Sequence, residues 1–108
     1  METLSKYAVL FDKENVNWSN DMSLNLMFLR CTEQYATDLL KSRGIVFLND
    51  VYKILGFEIT QAGQVVGWHY SEENPIGDNK VIFSVQGSDN SIAIDFNVDG
   101  NVINYLKD

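Results

Sequence analysis

The sequence has few of the residues that build catalytic, metal and disulfide sites. Its 108 residues include one cysteine, Cys31, and one histidine, His69. A single cysteine cannot form an internal disulfide, and a single histidine with scattered carboxylates gives no transition-metal motif. A Ser-His-Asp site around His69 would have to be assembled from distant segments. We therefore expect no catalytic residues, no cofactor and no metal, and a reducing compartment.

The sequence also lacks a long apolar run. No segment approaches the roughly 20 apolar residues that cross a bilayer, and acidic residues stand near the N-terminus, where a signal peptide keeps an apolar run. We expect a cytoplasmic protein that does not act at a membrane.

Basic residues are scarce in the second half of the chain, and the whole chain has a net charge of −7. Residues 1–57 carry six basic and seven acidic side chains, whereas residues 58–108 carry two basic and eight acidic ones. Nucleic acids are bound by clustered Lys and Arg, so direct nucleic-acid binding is not expected. An acidic surface can attract a basic protein or compete with DNA for one; its more common role is to keep a protein soluble.

The apolar content is sufficient for one core. Apolar residues make up 45% of the chain and charged residues 21%, which is typical of globular proteins. No internal repeat is visible, and the length fits a single domain over residues 1–108. We expect a strand or an apolar arm within residues 1–20, a helical part at 23–56 and a β-meander at 65–106.

An apolar stripe with helical spacing predicts a first helix. It begins after a cap at Ser23 and ends at Gly44, behind a cationic last turn. We expect the stripe to face the core, with Cys31 buried in it, and four further apolar residues to widen it. The stripe consists of Leu24, Met27, Phe28, Cys31, Tyr35 and Leu39, and the widening residues are Leu26, Leu29, Ala36 and Leu40.

A second helix is predicted within residues 47–57, with Asn49 as its N-cap and Gly56 at its end. The strands of the meander follow at 65–70, 80–86, 91–98 and 101–106. Pro75 and Gly77 favour a turn between the first two strands, with positive φ at Gly77.

Turn lengths predict the pairing of these strands. A four-residue turn at 87–90 pairs Val85 with Ile92, and a type I′ turn at Asp99-Gly100 pairs Phe96 with Ile103. Both registers place most large apolar residues on one face of the sheet. We therefore predict an α+β fold of two layers, with two N-terminal helices on one face of an antiparallel β-meander of three to four strands.

The stretch DFNVDGNVINYL, residues 95–106, begins like a calcium-binding loop. Asp95, Asn97 and Asp99 stand at alternate positions, as calcium ligands do, and Gly100 follows. However, Leu106 occupies the position of the bidentate Glu, and the preceding residues alternate as a strand does. We interpret the stretch as a hairpin.

A candidate interaction surface lies after the predicted strand at 65–70. Trp68 and Tyr70 beside a turn could anchor a partner, or both rings could belong to the core. The acidic residues that accompany them in the candidate surface are Glu72, Glu73, Asp78 and Asp95. Glu72 and Glu73 are adjacent in a predicted loop, which is a poor arrangement for acid–base catalysis.

Four stretches carry a resemblance that spans residues 24–103. They contain LNDVYKILG (48–56), GQVVGW (63–68), NPIGDN (74–79) and DFNVDG (95–100). In these motifs the chain resembles a family of small uncharacterised proteins of Gram-positive bacteria and their phages and mobile elements. The resemblance implies a one-domain protein of such an element, without a known enzymatic role.

Three functions are compatible with this pattern. The first is a non-enzymatic interaction module with an unidentified protein partner. The second is an acidic inhibitor that occupies a host nucleic-acid-binding protein, and the third is a small enzyme with a site around His69. Formation of a homodimer is a further alternative, because the last predicted strand, residues 101–106, could be an unpaired edge strand that a second copy extends.

Overall fold

The computed structural model describes residues 4–106, which form two helices and six short strands. The prediction of an α+β fold with two helices is confirmed. The segment for which a strand and an arm were both open forms β1. The elements are β1 (Val9–Asp12), α1 (Met22–Arg43), β2 (Ile45–Phe47), α2 (Leu48–Leu55), β3 (Val66–His69), β4 (Phe83–Gly87), β5 (Ser91–Phe96) and β6 (Gly100–Asn101), with 3₁₀ turns at Ala62–Gln64 and Ile103–Tyr105.

The strands form two antiparallel sheets, in the orders β1-β5-β4 and β2-β3-β6. The single meander is therefore wrong, and the predicted two-layer packing on it is not confirmed. The sequence reading missed β2, a three-residue strand between the helices that pairs with β3. Gly67 permits this close approach, because a Cβ there would collide with the Val46 carbonyl and lie 2.8 Å from the Phe47 Cα.

The hairpin of β4 and β5 keeps its predicted faces but not its register. Phe83 faces Phe96, which is two residues away from the predicted pairing. The turn is shorter than expected, since the Ser88 amide donates to the Ser91 carbonyl at 2.8 Å. A shift by two residues leaves every side chain on its face, so Phe83 and Phe96 are still buried.

The hairpin predicted at Asp99-Gly100 is wrong. Gly100 pairs with Gly67 of β3, and the Asp99 amide donates to the Gly67 carbonyl at 2.8 Å. The chain therefore crosses from one sheet to the other at this point. The predicted strand at 101–106 contributes only Asn101 to β6 before a 3₁₀ turn at Ile103–Tyr105.

Helix α1 begins at a different cap from the predicted one. Asp21 is the N-cap, and its carboxylate accepts from the Ser23 amide at 2.9 Å. Gly44 ends the helix as predicted, with φ at 86° in the left-handed region and Lys41 and Arg43 in the last turn.

The predicted core face of α1 is also wrong for the stripe itself, whereas Leu29, Ala36 and Leu40, which were expected to widen it, are completely buried. The stripe points largely to solvent: Leu24, Met27, Cys31 and Tyr35 are exposed, so Cys31 is not buried. The helix is rotated relative to this prediction, because polar residues on its other face have hydrogen-bond partners in other segments. The buried residues are Asn25, Leu29, Thr32, Ala36, Thr37 and Leu40.

Two of these buried polar side chains explain the rotation. Asn25 accepts from the Ser19 amide and donates to the Ser19 carbonyl, both at 2.8 Å. Thr37 accepts from the Val81 amide at 3.0 Å and donates to the Val81 carbonyl at 3.3 Å. Both side chains are hydrogen-bonded, so their burial is not penalised.

Helix α2 is capped by Phe47 rather than by Asn49. The Asp50 carboxylate accepts from the Phe47 amide at 2.9 Å, and Gly56 ends the helix as predicted. Asn49 instead accepts from the Thr60 amide and donates to the Thr60 carbonyl, which fixes the segment after the helix.

Candidate functional site

The residues of the predicted interaction surface differ in burial, so they do not form one exposed surface. Trp68 is completely buried, and its Nε1 donates to Asn97 Oδ1 at 2.8 Å. Its ring cannot anchor a partner, so the core alternative holds for this residue. Tyr70 is half-buried, and its hydroxyl donates to Glu72 Oε1 at 3.2 Å.

The segment 71–80, which we name the acidic loop, presents three of the predicted residues. The side chains of Glu72, Glu73 and Asp78 are exposed. The loop is closed at its base by Asn79, which accepts from the Ser71 amide and donates to the Ser71 carbonyl. The three carboxylates therefore project from a loop whose two ends are joined by hydrogen bonds.

Positive φ in the acidic loop falls on Asn79, at 57°, and not on Gly77 as predicted. Gly77 is required for space, because a Cβ at this position would collide with the Asp99 carboxylate. Burial raises the pKa of Asp99, and the nearby Asp78 adds to the rise against the opposing hydrogen bond from the His69 amide.

Asn97 joins the acidic loop to the two sheets. Its Oδ1 accepts from Trp68 Nε1 and from the Ile82 amide at 2.7 Å. Its Nδ2 donates to the Lys80 carbonyl at 3.0 Å and to Asp78 Oδ2 at 3.2 Å. All four hydrogen-bonding positions of the amide are used, which makes Asn97 a structural residue and not a free ligand.

Asp95 closes the N-terminal segment onto β5. Its two oxygens accept from the Ser5 amide at 2.7 Å and the Ser5 hydroxyl at 2.6 Å. Burial alone would raise its pKa, but the hydrogen bonds from Ser5 and from the Phe96 amide together lower it. Asp95 thus has a role within the fold and is not part of the acidic loop.

The calcium-like stretch does not converge on one point. Asp95 binds Ser5, Asn97 binds Trp68, and Asp99 accepts from the His69 amide at 3.0 Å. Within residues 4–106, no group of three or more His, Cys, Asp or Glu side chains could hold a metal ion.

His69 lies beside a cleft of about 390 Å³, at one end of the second sheet. Its ring stacks on Tyr105 with the centroids 4.1 Å apart. Its Nδ1 is buried and has no hydrogen-bond partner among the described residues. Asp99 contacts the backbone of His69 and not its ring, so the described residues supply no His–carboxylate pair.

The sequence analysis assigned a set of exposed apolar residues on α1 to the core. Leu24, Met27, Cys31 and Tyr35, which we name the α1 face, follow one side of a 22-residue helix. Leu24 is 51% exposed, Met27 60% and Tyr35 53%. The sequence contains a signal for this face, since α1 has two apolar stripes and only one of them can face the core.

A cleft of about 630 Å³ lies between helix α1 and the acidic loop. Gln34 and Lys41 of α1 line one side, and Tyr70, Asp78 and Lys80 line the other. Gln34 is next to Tyr35 of the α1 face in the sequence, so the cleft lies beside this face, whose own residues do not line it.

Among residues 4–106, no helix combines the length and the apolar composition that a bilayer crossing requires.

The comparisons with known proteins identify a family and nothing further. A model of a family of unknown function, DUF6353, matches residues 1–106. The chain therefore belongs to this family, and the match includes the N-terminal segment that lay outside the sequence resemblance. No curated protein and no solved structure matches the chain.

Proposed function

We propose that this member of the DUF6353 family is a non-enzymatic protein–protein interaction module that binds through the α1 face. The exposure of Leu24, Met27 and Tyr35 along one helical stripe carries the proposal. A contiguous exposed apolar patch on a small domain is typical of an interaction site. An amphipathic helix of this kind is recognised through residues spaced three and four apart, as these are.

The core does not depend on these side chains. Leu29, Ala36 and Leu40 on the opposite side of α1 are completely buried and hold the helix against the sheets. Residues of the α1 face are therefore free to serve a partner. Their chemistry favours a partner with an apolar contact patch.

The acidic loop would supply the rim of the same interface. Glu72, Glu73 and Asp78 are exposed on the acidic loop, and Asp78 lines the cleft between this loop and α1, which favours basic groups at the edge of the partner. Rim charges of this kind accelerate association and add salt dependence more than they add affinity.

The acidic inhibitor is the second candidate. The three exposed carboxylates of the acidic loop favour it, and the partner would then be a basic, nucleic-acid-binding host protein. Asp95 and Asp99, which are half-buried, would take no part. Both candidates fit a cytoplasmic protein of a phage or mobile element in a Gram-positive host, which we propose on the motif resemblance.

The test is a pull-down from lysate of such a host with three forms of the chain. Met27→Lys places a charge in the α1 face and keeps a good helix former. Val16→Lys makes the same kind of change at an 89% exposed residue outside the face. We expect the native chain and Val16→Lys to capture the same partner and Met27→Lys to lose it, with capture surviving high salt.

Two other outcomes would redirect the proposal. Capture that is lost at high salt and survives Met27→Lys favours the acidic inhibitor. Equal capture by all three forms at every salt concentration contradicts binding through the α1 face.

A further inference from the structure

We infer that the outer edge of β4 is a binding site for an extended segment of another protein, which pairs with it as an added antiparallel strand. Strand β4 is the last strand of the sheet β1-β5-β4, so one of its edges has no neighbouring strand within residues 4–106. This edge belongs to a different element from the α1 face, and the inference does not depend on the proposed function.

The hydrogen bonds of the hairpin show which backbone groups of β4 point away from β5. The Ile82 carbonyl and the Ser88 amide are hydrogen-bonded to residues at the two ends of β5. Successive residues of a strand direct their N–H and C=O groups to opposite edges. The even-numbered residues therefore bond to β5, whereas Phe83, Val85 and Gly87 direct their backbone groups outward.

Helix α1 satisfies these outward groups only at Phe83. The Phe83 amide donates to Glu33 Oε2 at 2.6 Å, and the Phe83 carbonyl accepts from Arg30 Nη1 at 3.1 Å. Among the residues that the structure describes, the outward N–H and C=O groups of Val85 and Gly87 have no hydrogen-bond partner. The backbone of an extended chain is complementary to these groups, because it presents donors and acceptors at the same spacing.

Strand β4 has no sequence feature by which edge strands usually avoid such pairing. Its sequence, FSVQG, contains no Pro and no charged residue, and its five residues pair with β5 without interruption. Gly87 has open space where a Cβ would lie. The backbone of this edge is therefore accessible to an added strand.

Helix α1 supplies an apolar side chain beside this edge. Thr37 bonds to the segment before β4 and Arg30 bonds to Phe83, so α1 runs antiparallel to β4. Four helix residues span about 6 Å, and two strand residues span about 7 Å. The turn before Arg30 thus places Leu26, which is 40% exposed, level with the half-buried Val85.

The partner segment is therefore predicted to carry an apolar side chain at every second position. In an antiparallel pair, the residue that is hydrogen-bonded to Val85 also shares its face of the sheet. Its side chain would lie between Val85 and Leu26, and its neighbours would lie beside the exposed, polar Ser84 and Gln86. The backbone hydrogen bonds supply affinity, and this alternation supplies specificity.

The probe is the peptide acetyl-KTVTVTK-amide in two methylated forms. One form is methylated on the backbone nitrogen of both Val residues, and the other on those of the last two Thr residues. The nitrogens that face β4 belong to Val, so only the first form loses its donors to this edge. We expect the Val-methylated form to bind at least about tenfold more weakly than the Thr-methylated form.

Amide NMR spectra of the full chain locate the binding. The Thr-methylated form should shift the amide signals of Val85 and Gly87 and slow their hydrogen exchange. Equal binding of the two forms overturns the inference. Shifts confined to α1, or no shift at Val85 and Gly87, also overturn it.

Gly87→Pro and Gly87→Ala test the same edge by changing the chain. Proline removes the outward N–H and is tolerated in an edge strand, whereas alanine keeps this N–H. We expect Gly87→Pro to bind the Thr-methylated peptide at least about tenfold more weakly and Gly87→Ala to bind it as the native chain does. Equal binding by the two variants contradicts the inference.

Sedimentation distinguishes the proposed occupant from a second copy of the chain. A molar mass that rises with concentration for the native chain and stays at 12.3 kDa for Gly87→Pro assigns the edge to a second copy and overturns the inference. Binding through the α1 face is tested separately, by the loss of capture from lysate on Met27→Lys.

Discussion

Replacing Asn97 by Ala removes one amide that satisfies a hydrogen-bonding group in β3 and another just before β4. The Nε1 of the completely buried Trp68 loses its acceptor, and the half-buried Ile82 amide loses its acceptor as well. A buried donor left without a partner costs about 1–3 kcal/mol, and water can reach Ile82 more easily than Trp68. We expect Asn97→Ala to lower the free energy of unfolding by about 2–4 kcal/mol.

Urea denaturation followed by circular dichroism measures this loss, and Asn101→Ala is the matched control. Asn101 is exposed, and among residues 4–106 its side chain accepts only from the Ile103 amide, so its replacement should lower the free energy of unfolding by less than about 1 kcal/mol. Trp68→Phe removes the donor that Asn97→Ala would leave unpaired. Asn97→Ala should therefore cost at least about 1 kcal/mol less in the Trp68→Phe background. Equal costs in both backgrounds would refute the role given to the hydrogen bond between Trp68 and Asn97.

Three further predictions concern stability. Gly67→Ala should destabilise the chain by more than about 2 kcal/mol in urea denaturation, because its Cβ collides with β2, whereas Gly87→Ala, with open space around it, should be nearly neutral. Asn25→Ala should cost about 1–3 kcal/mol in the same assay by leaving the Ser19 amide and carbonyl unpaired; a loss no larger than that of exposed Gln34→Ala would contradict this. The pKa of Asp95 is lowered in the folded chain, so its contribution to stability is complete above the unfolded pKa of 3.8 and is lost as the pH falls through the folded pKa. In thermal melts, the higher stability of the native chain relative to Asp95→Asn should therefore shrink only below about pH 4. A stability difference that does not depend on pH would contradict this prediction.

The ends of the helices were the most predictable part of the fold. Gly44 and Gly56 both take positive φ at the ends of α1 and α2, a conformation that other residues seldom adopt. The alternation in β5 likewise predicted which side chains face the core, since the period of two depends only on local geometry.

The rotation of α1 could not be predicted from its own sequence. Its buried face includes Asn25 and Thr37, whose partners Ser19 and Val81 lie outside the helix. A hydrophobicity pattern counts such residues as surface, because it contains no information on distant hydrogen-bond partners. The candidate site was misplaced for the same reason: the residues of the α1 face were identified as an apolar stripe and then assigned to the core.

The pairing of the strands depended on distant contacts as well. Strand β2 has three residues and follows α1 directly, so no alternating pattern could develop in it. Asp99-Gly100 has the composition of a hairpin turn, yet the hydrogen bond from the Asp99 amide to the Gly67 carbonyl directs the chain to the other sheet.

The most direct test of binding through the α1 face is capture from host lysate by the native chain beside Met27→Lys and Val16→Lys. We predict that the native chain and Val16→Lys capture the same partner at high salt and that Met27→Lys does not. Equal capture by all three forms would contradict the account.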